Sequence, residues 1–239
     1  MFMPGWCRNR TVFQDLAPGC SAHRRTLVLD WRGHGGSGQP KGDFGFGELV
    51  SDAIAVIEAS GSQQVVPVAL AHSGWIAIEL RRRLRQRIPK LVLVDWIVLE
   101  PPKPFLEALK GMQDPDKWRQ TVEHIFSQWL QCADNKRLIQ FVRREMGSYG
   151  FQMWARAARE IAAAYAESGS PLHALSSFNP PLPVLHLYAQ PPDPNYLAAQ
   201  QKFASSHSWF NVLKLEARSH FPMFEVSDQM ASAIERFVR

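Results

Sequence analysis

Cysteine is scarce in this chain: Cys7, Cys20 and Cys132 are the only three among 239 residues. An odd count without CxxC or Cys/His spacing offers neither a disulfide framework nor a zinc site, and suits reduced thiols in a cytoplasmic protein. Long apolar runs are also lacking. No stretch approaches the roughly 18 apolar residues that a spanning helix needs, so no membrane partner is expected. No charged segment followed by an apolar one opens the chain, so no secretory leader is expected either. Repeats, low-complexity tracts and nucleic-acid motifs are missing. The turn Arg32-Gly-His-Gly-Gly-Ser-Gly38 is glycine-rich but lacks the GxGxxG spacing of a dinucleotide site. His23, His124, His173, His186 and His207 show no ligand spacing, and no metal is expected.

Positive charge is in modest excess, +5 overall. Much of it lies in Arg81-Arg-Arg-Leu-Arg-Gln-Arg-Ile-Pro-Lys90. That run reads as the solvated C-terminal end of a helix, where cations complement the macrodipole, in preference to a polyanion-binding patch.

The chain is long enough for one α/β domain with a sizeable core. Apolar, β-branched runs at 25–31, 64–70, 90–95, 184–188 and 209–215 read as strands. Helical spacing at 46–60, 74–87, 196–206 and 226–239 alternates with them. Met1 to Trp6 reads as the end of a further strand running into a loop, and Asn9 to Leu16 as a short helix. This alternation implies a mostly parallel sheet with helices on both faces. Residues from Pro115 to about Glu167 are helical in pattern without a strand, which reads as a cap. Prolines 101, 102 and 104, and Pro180 to Pro183, punctuate its ends. The expected division is a core of 1–100 and 180–239, with a helical cap of 101–179 inserted.

Val65-Val-Pro-Val-Ala-Leu-Ala-His-Ser-Gly-Trp75 carries the layout strand, sharp turn, helix. That is a nucleophile elbow, in which small residues flank the apex two positions away on each side. With Ala71 at the apex, Ala69 and Ser73 are the flanking small residues. With Ser73 at the apex, bulky Trp75 would have to fit so tight a turn. The first register is preferred, and it leaves the apex without a nucleophile. In a parallel sheet, sites form beyond the C-terminal strand ends. Trp6, Ala71-His72, Asp95, Asp193 and His220 converge there. A histidine in the loop after the last strand and an acid at an earlier strand end make a general base and its orienter. The bland reading of His220 is a satisfied loop histidine. Asp193 follows the penultimate strand, the usual place for the acid, but prolines surround it and it also reads as a turn residue. Asp95, at the mouth of a buried strand, is the preferred partner. The backbone N–H groups of Trp6 and His72 would form an oxyanion hole. His34 is expected to pack or hydrogen-bond at its turn.

These segments carry a likeness. Asp30-Trp-Arg-Gly-His-Gly-Gly-Ser37 is the frequent DxRGHGxS turn of the α/β-hydrolase superfamily. Pro4-Gly-Trp-Cys7, His72-Ser-Gly-Trp75, Val94-Asp-Trp96, Asp114-Pro-Asp-Lys-Trp-Arg119, Tyr149-Gly-Phe-Gln-Met-Trp154 and Ser219-His-Phe-Pro222 extend it. The chain thereby resembles the cofactor-independent 3-hydroxy-4(1H)-quinolone 2,4-dioxygenases. The resemblance implies an α/β-hydrolase fold with a cap, and two strands ahead of Met1 that are not in this sequence. It implies a His220–Asp95 dyad that removes the substrate hydroxyl proton, and a pocket lined by Trp6 and Trp154. It implies neither metal nor flavin, with a small aromatic substrate and O2 as partners. In the implied reaction, a peroxide formed at C2 closes on C4, and carbon monoxide leaves. Three positions depart from the pattern. Arg8 replaces a histidine, and Leu70 and Ala71 replace histidine then serine at the elbow. Other readings stay open: an esterase using Ser73 with His220 and Asp193, a lyase or isomerase using the same dyad, or a non-catalytic ligand-binding relative. Oligomeric state is not legible.

Overall fold

A computed structural model describes residues 1–239. Five parallel strands form one sheet: β1 (Phe2–Met3), β2 (Val68–Leu70), β3 (Leu91–Val94), β4 (Val184–Tyr188) and β5 (Phe210–Lys214), neighbours in that order. β3 and β4 are buried at every position. That explains their unbroken apolar runs, since a strand covered on both faces has no solvated side to alternate with. The register sets Val94 beside Leu70 and Leu187, so β2, β3 and β4 end at one level.

One expected strand is corrected. Of 25–31, only Val28 bridges the sheet, parallel to Phe2. The Phe2 N–H donates to the Leu27 carbonyl at 2.7 Å, and β1 is too short to extend this ladder. Asp30 then turns away from the sheet to accept the N–H groups of Arg10 (2.6 Å) and Gly36 (2.9 Å).

The helices are α1 (Ala17–Ser21), α2 (Phe46–Ser60), α3 (Ser73–Leu84), α4 (Lys103–Gln113), α5 (Trp118–Leu130), α6 (Lys136–Gln140), α7 (Phe151–Ser168), α8 (Pro171–Ser176), α9 (Pro194–Ser206) and α10 (Ser227–Val238). The expected helix at 9–16 is one 3₁₀ turn, Arg10–Phe13, capped by the Asn9 side chain. The arginine run ends α3 as expected. Arg82 and Arg83 pair with Glu79, and Arg87 pairs with Glu58.

Between β3 and β4 lie α4 to α8, which differ from the continuous helical stretch expected at 115–167. The stretch breaks at Gln131–Asn135 and again at Tyr149–Gly150. A helix also begins earlier, over 103–113, despite the prolines. Pro104 sits in the first turn of α4, where its missing N–H costs nothing. Tyr149 reaches back from this segment, and its hydroxyl accepts the Gly35 N–H at 3.3 Å. No helix is long and apolar enough to cross a membrane.

Candidate active site

The turn after β2 is the elbow, with Ala71 at its apex. Ala71 has φ +51°, a left-handed conformation that a residue with a Cβ adopts only under constraint. The constraint is visible. The Ala71 N–H donates to Val94 at 2.8 Å, and the Ser73 hydroxyl reaches the carbonyls of Met3 and Leu70, each at 2.9 Å. Ser73 thus ties the start of α3 to β1. It is buried, its single proton is committed to backbone oxygens, and it makes no contact with a base. The register with Ser73 at the apex is not adopted.

Asp95 follows β3 directly, at φ +45° and fully buried. Its Oδ1 accepts the Gln190 N–H at 3.0 Å, while Oδ2 has no partner. His220 Nδ1 lies 3.8 Å from Oδ1. That is longer than a hydrogen bond, though catalytic pairs commonly tighten once ligand binds. Burial lowers the His220 pKa, with Asp95 opposing the shift and Arg8 reinforcing it. The imidazole is therefore held neutral, the form in which it accepts a proton. Glu225 fastens the loop that carries it. One carboxylate oxygen accepts the Ser219 N–H at 3.0 Å as well as the Ser219 hydroxyl, and the other accepts the Arg218 N–H at 3.0 Å. Asp193, the competing acid, is exposed and caps α9 by accepting the Asn195 N–H at 2.9 Å. It makes no ion pair with His220.

The backbone N–H groups of Trp6 and His72 donate to nothing in the protein. Trp6 is held from behind. Cys7 takes φ +56°, and its N–H donates to His34 Nε2 at 3.0 Å, while His34 Nδ1 lies 2.9 Å from the Arg32 carbonyl. The glycine-rich turn thus positions the Trp6 loop, the hydrogen-bonding role expected of His34. Trp6 stacks on Phe44 at 5.8 Å, and Phe44 lines a cleft of about 1080 Å³ between that turn and α7. This cleft does not include His220 or Asp95.

The sequence reading missed several aromatic walls. Trp129 of α5 stacks on the His220 ring, 4.8 Å between centroids and 20° between planes. Phe126 links Trp129 to Trp154, whose buried Nε1 has no partner. The His72 Nδ1 accepts the Trp96 indole N–H at 3.1 Å, and Phe105 stacks on the His72 ring at 5.4 Å. Burial lowers the His72 pKa to about 3. Amphipathic spacing marks α5 as having one apolar face but does not say which ring meets His220. Leu70 is wholly buried at the end of β2, and Arg8 is buried beside Trp129.

The Alpha/beta hydrolase family profile matches residues 1–233. The chain belongs to that family. Within it, the chain is 35% identical to a 2-heptyl-3-hydroxy-4(1H)-quinolone dioxygenase of Mycobacteroides abscessus, over 96% of this chain and 86% of that one. It is 33% identical to the 1H-3-hydroxy-4-oxoquinoline 2,4-dioxygenase of Pseudomonas putida, over 99% and 90% of the two chains. An AqdC variant, solved with its substrate, the Pseudomonas quinolone signal, superposes with TM-score 0.94 at 33% identity, over 99% and 89%. These relatives place the chain among the 3-hydroxy-4-quinolone 2,4-dioxygenases of the α/β-hydrolase fold.

The buried histidines have a consequence for stability. Burial lowers both His34 and His186 to about 4. Below the usual histidine pKa the unfolded chain binds protons that the folded chain refuses. Stability therefore falls as pH drops from about 6.5 to about 4, by up to roughly 1.4 kcal/mol per pH unit for each such histidine. Thermal melts across this range should show Tm decreasing steadily. A Tm unchanged from pH 6.5 to 4.5 would rule the effect out.

Proposed function

We propose that this protein cleaves the ring of a 3-hydroxy-4-quinolone or related N-heteroaromatic with O2, using His220 as general base and Asp95 as the group that orients it. The observation that carries the reading is the neutral His220 set against a buried carboxylate with an unused acceptor oxygen, in a chain related throughout its length to quinolone dioxygenases. The unpartnered Trp6 and His72 N–H groups suit the substrate oxyanion.

His220 takes the 3-hydroxyl proton and Asp95 supports the imidazolium. The electron-rich anion adds O2 at C2, the peroxide closes on C4, and ring opening expels C3 as carbon monoxide. An N-acylanthranilate remains, so both oxygen atoms end in the organic product. Ala71 at the apex removes a serine nucleophile, and this sequence of steps needs none. The helical segment 101–179 acts as a cap, with Trp154 and Trp129 excluding water from the anion. No cofactor is part of this scheme. The protein acts in the cytoplasm, where its three unpaired cysteines stay reduced.

The test is incubation of purified, metal-stripped protein with 2-methyl-3-hydroxy-4-quinolone under air and under nitrogen. Carbon monoxide and N-acetylanthranilate should form in equal amounts, under air only. Absence of any oxygen-dependent product would sink the proposal, and a product formed equally under nitrogen would point to a lyase or isomerase.

A further inference from the structure

Arg8 is a buried cation, 4% exposed, that belongs to no ion pair, although the Asp95 carboxylate acts on it from farther off. Its Nη1 donates to the Trp6 carbonyl at 3.2 Å, and its Nε, sealed from solvent, donates to nothing. The guanidinium carbon sits 5.1 Å from the ring centroids of both Trp129 and Phe221. Trp129 is also the ring stacked on His220, so Arg8 and the proposed base share one wall. Gly5 makes the placement possible, because a Cβ there would overlap Nη1. Burial lowers the Arg8 pKa only to about 10, so the group is charged at neutral pH. Of the acidic groups that act on it, Asp95 and the buried Cys7, neither forms an ion pair with the guanidinium.

A charge taken out of water is costly unless something pairs with it. Ring faces repay part of that cost, but they leave the in-plane N–H groups unused. A planar fork with a free donor matches an anionic oxygen.

We propose that Arg8 is a specificity-determining residue that pairs with an anionic oxygen of the bound heteroaromatic. This rests on the quinolone reading of the same site. The oxygen has two sources: a carboxylate substituent on the ring, or the ring oxyanion left when the 3-hydroxyl loses its proton. Either way the site prefers the charged ligand to its neutral isostere. Arg8 touches substrate, whereas His220 moves the proton.

The experiment measures binding to the full chain under nitrogen, so that turnover plays no part. Ligands are 4-oxo-1H-quinoline-2-carboxylate, its 2-carboxamide, and 2-methyl-3-hydroxy-4-quinolone. If the carboxylate is the source, wild-type protein should bind the carboxylate roughly 10- to 100-fold tighter than the carboxamide, and Arg8→Gln should erase that ratio. If the ring oxyanion is the source, the bound hydroxyquinolone should ionise at a pH lower than the free ligand by about one unit or more, and Arg8→Gln should reverse the shift. Arg8→Lys should keep part of either effect, since it retains the charge and loses the fork. A ratio within about twofold, together with an unshifted ionisation in wild type, overturns the inference. The carboxylate-to-carboxamide ratio needs no variant, and if Arg8→Gln does not fold, an ionisation shift left unchanged in Arg8→Lys and Arg8→Met would overturn the ring-oxyanion arm. Carbon monoxide release is scored separately. Arg8-dependent anion binding without it would refute the dioxygenase reading alone, and carbon monoxide with charge-blind binding would refute this inference alone.

Discussion

Replacing His220 by alanine should lower kcat on a 3-hydroxy-4-quinolone by about 10²–10⁴-fold, the range that a positioned general base supplies. Binding should change far less, because Arg8, Trp6 and the aromatic walls remain. Asp95→Asn should also lower kcat, since an amide cannot stabilise the imidazolium as a carboxylate does. Asparagine tolerates left-handed backbone better than most residues, so it suits the φ of +45° at this position and the variant should fold. The pH profile carries further information. Burial lowers the His220 pKa, so the base stays unprotonated below the usual histidine range. The acid limb of kcat/KM should therefore lie below about pH 6.5. Wild-type kcat retained by His220→Ala, or an acid limb above pH 7, would remove His220 from the proposed role.

Gly74→Ala should lower stability by about 1–3 kcal/mol, the usual cost of overpacking a core. Two effects compete. Alanine favours a helix over glycine by roughly 0.5–1 kcal/mol. Against that, the added methyl would overlap the six-membered ring of Trp96. That ring is 2% exposed and meets Trp75 edge-on at 5.1 Å, so it has no open space to enter. The overlap wins. For a chain of this size, Tm should fall by about 2–12 °C. Displacing Trp96 also breaks its hydrogen bond to His72, so ligand binding should weaken along with stability. Gly47 in α2 is exposed with nothing within 4 Å of an added Cβ, and Gly47→Ala serves as the control that should not destabilise. A Gly74→Ala protein that melts at or above the wild-type Tm would show that Trp96 can yield.

Particular elements separate what pattern reveals from what packing decides. α2 and β4 sit over the spans their residues imply, because apolar periodicity reflects burial that each element meets along its whole length. The segment at 25–31 has equally good strand composition and forms a single bridge, because its partner β1 ends after two residues. Pairing belongs to two segments, and one of them cannot report it. The long helical stretch divides at Gln131–Asn135 and at Gly150, where side chains such as Asn135 take the capping role.

The elbow follows the same division. Its register was legible, since Trp75 is too large for the flanking position that Ser73 at the apex would demand. His220 and Asp95 were legible as polar residues at strand ends. The sequence by itself determined the parallel sheet and the apex without a nucleophile, and it pointed to His220, with Asp95 preferred over Asp193 as its partner. Only the tertiary structure decided that Asp193 caps a helix instead, that Trp129 stacks on His220, and that Arg8 is enclosed without an ion pair. The physical reason is distance along the chain. Backbone preference and apolar spacing act over a few residues, whereas Arg8, Trp129 and His220 meet only because the loops after β1 and β5 and helix α5, far apart in the chain, come together in the fold.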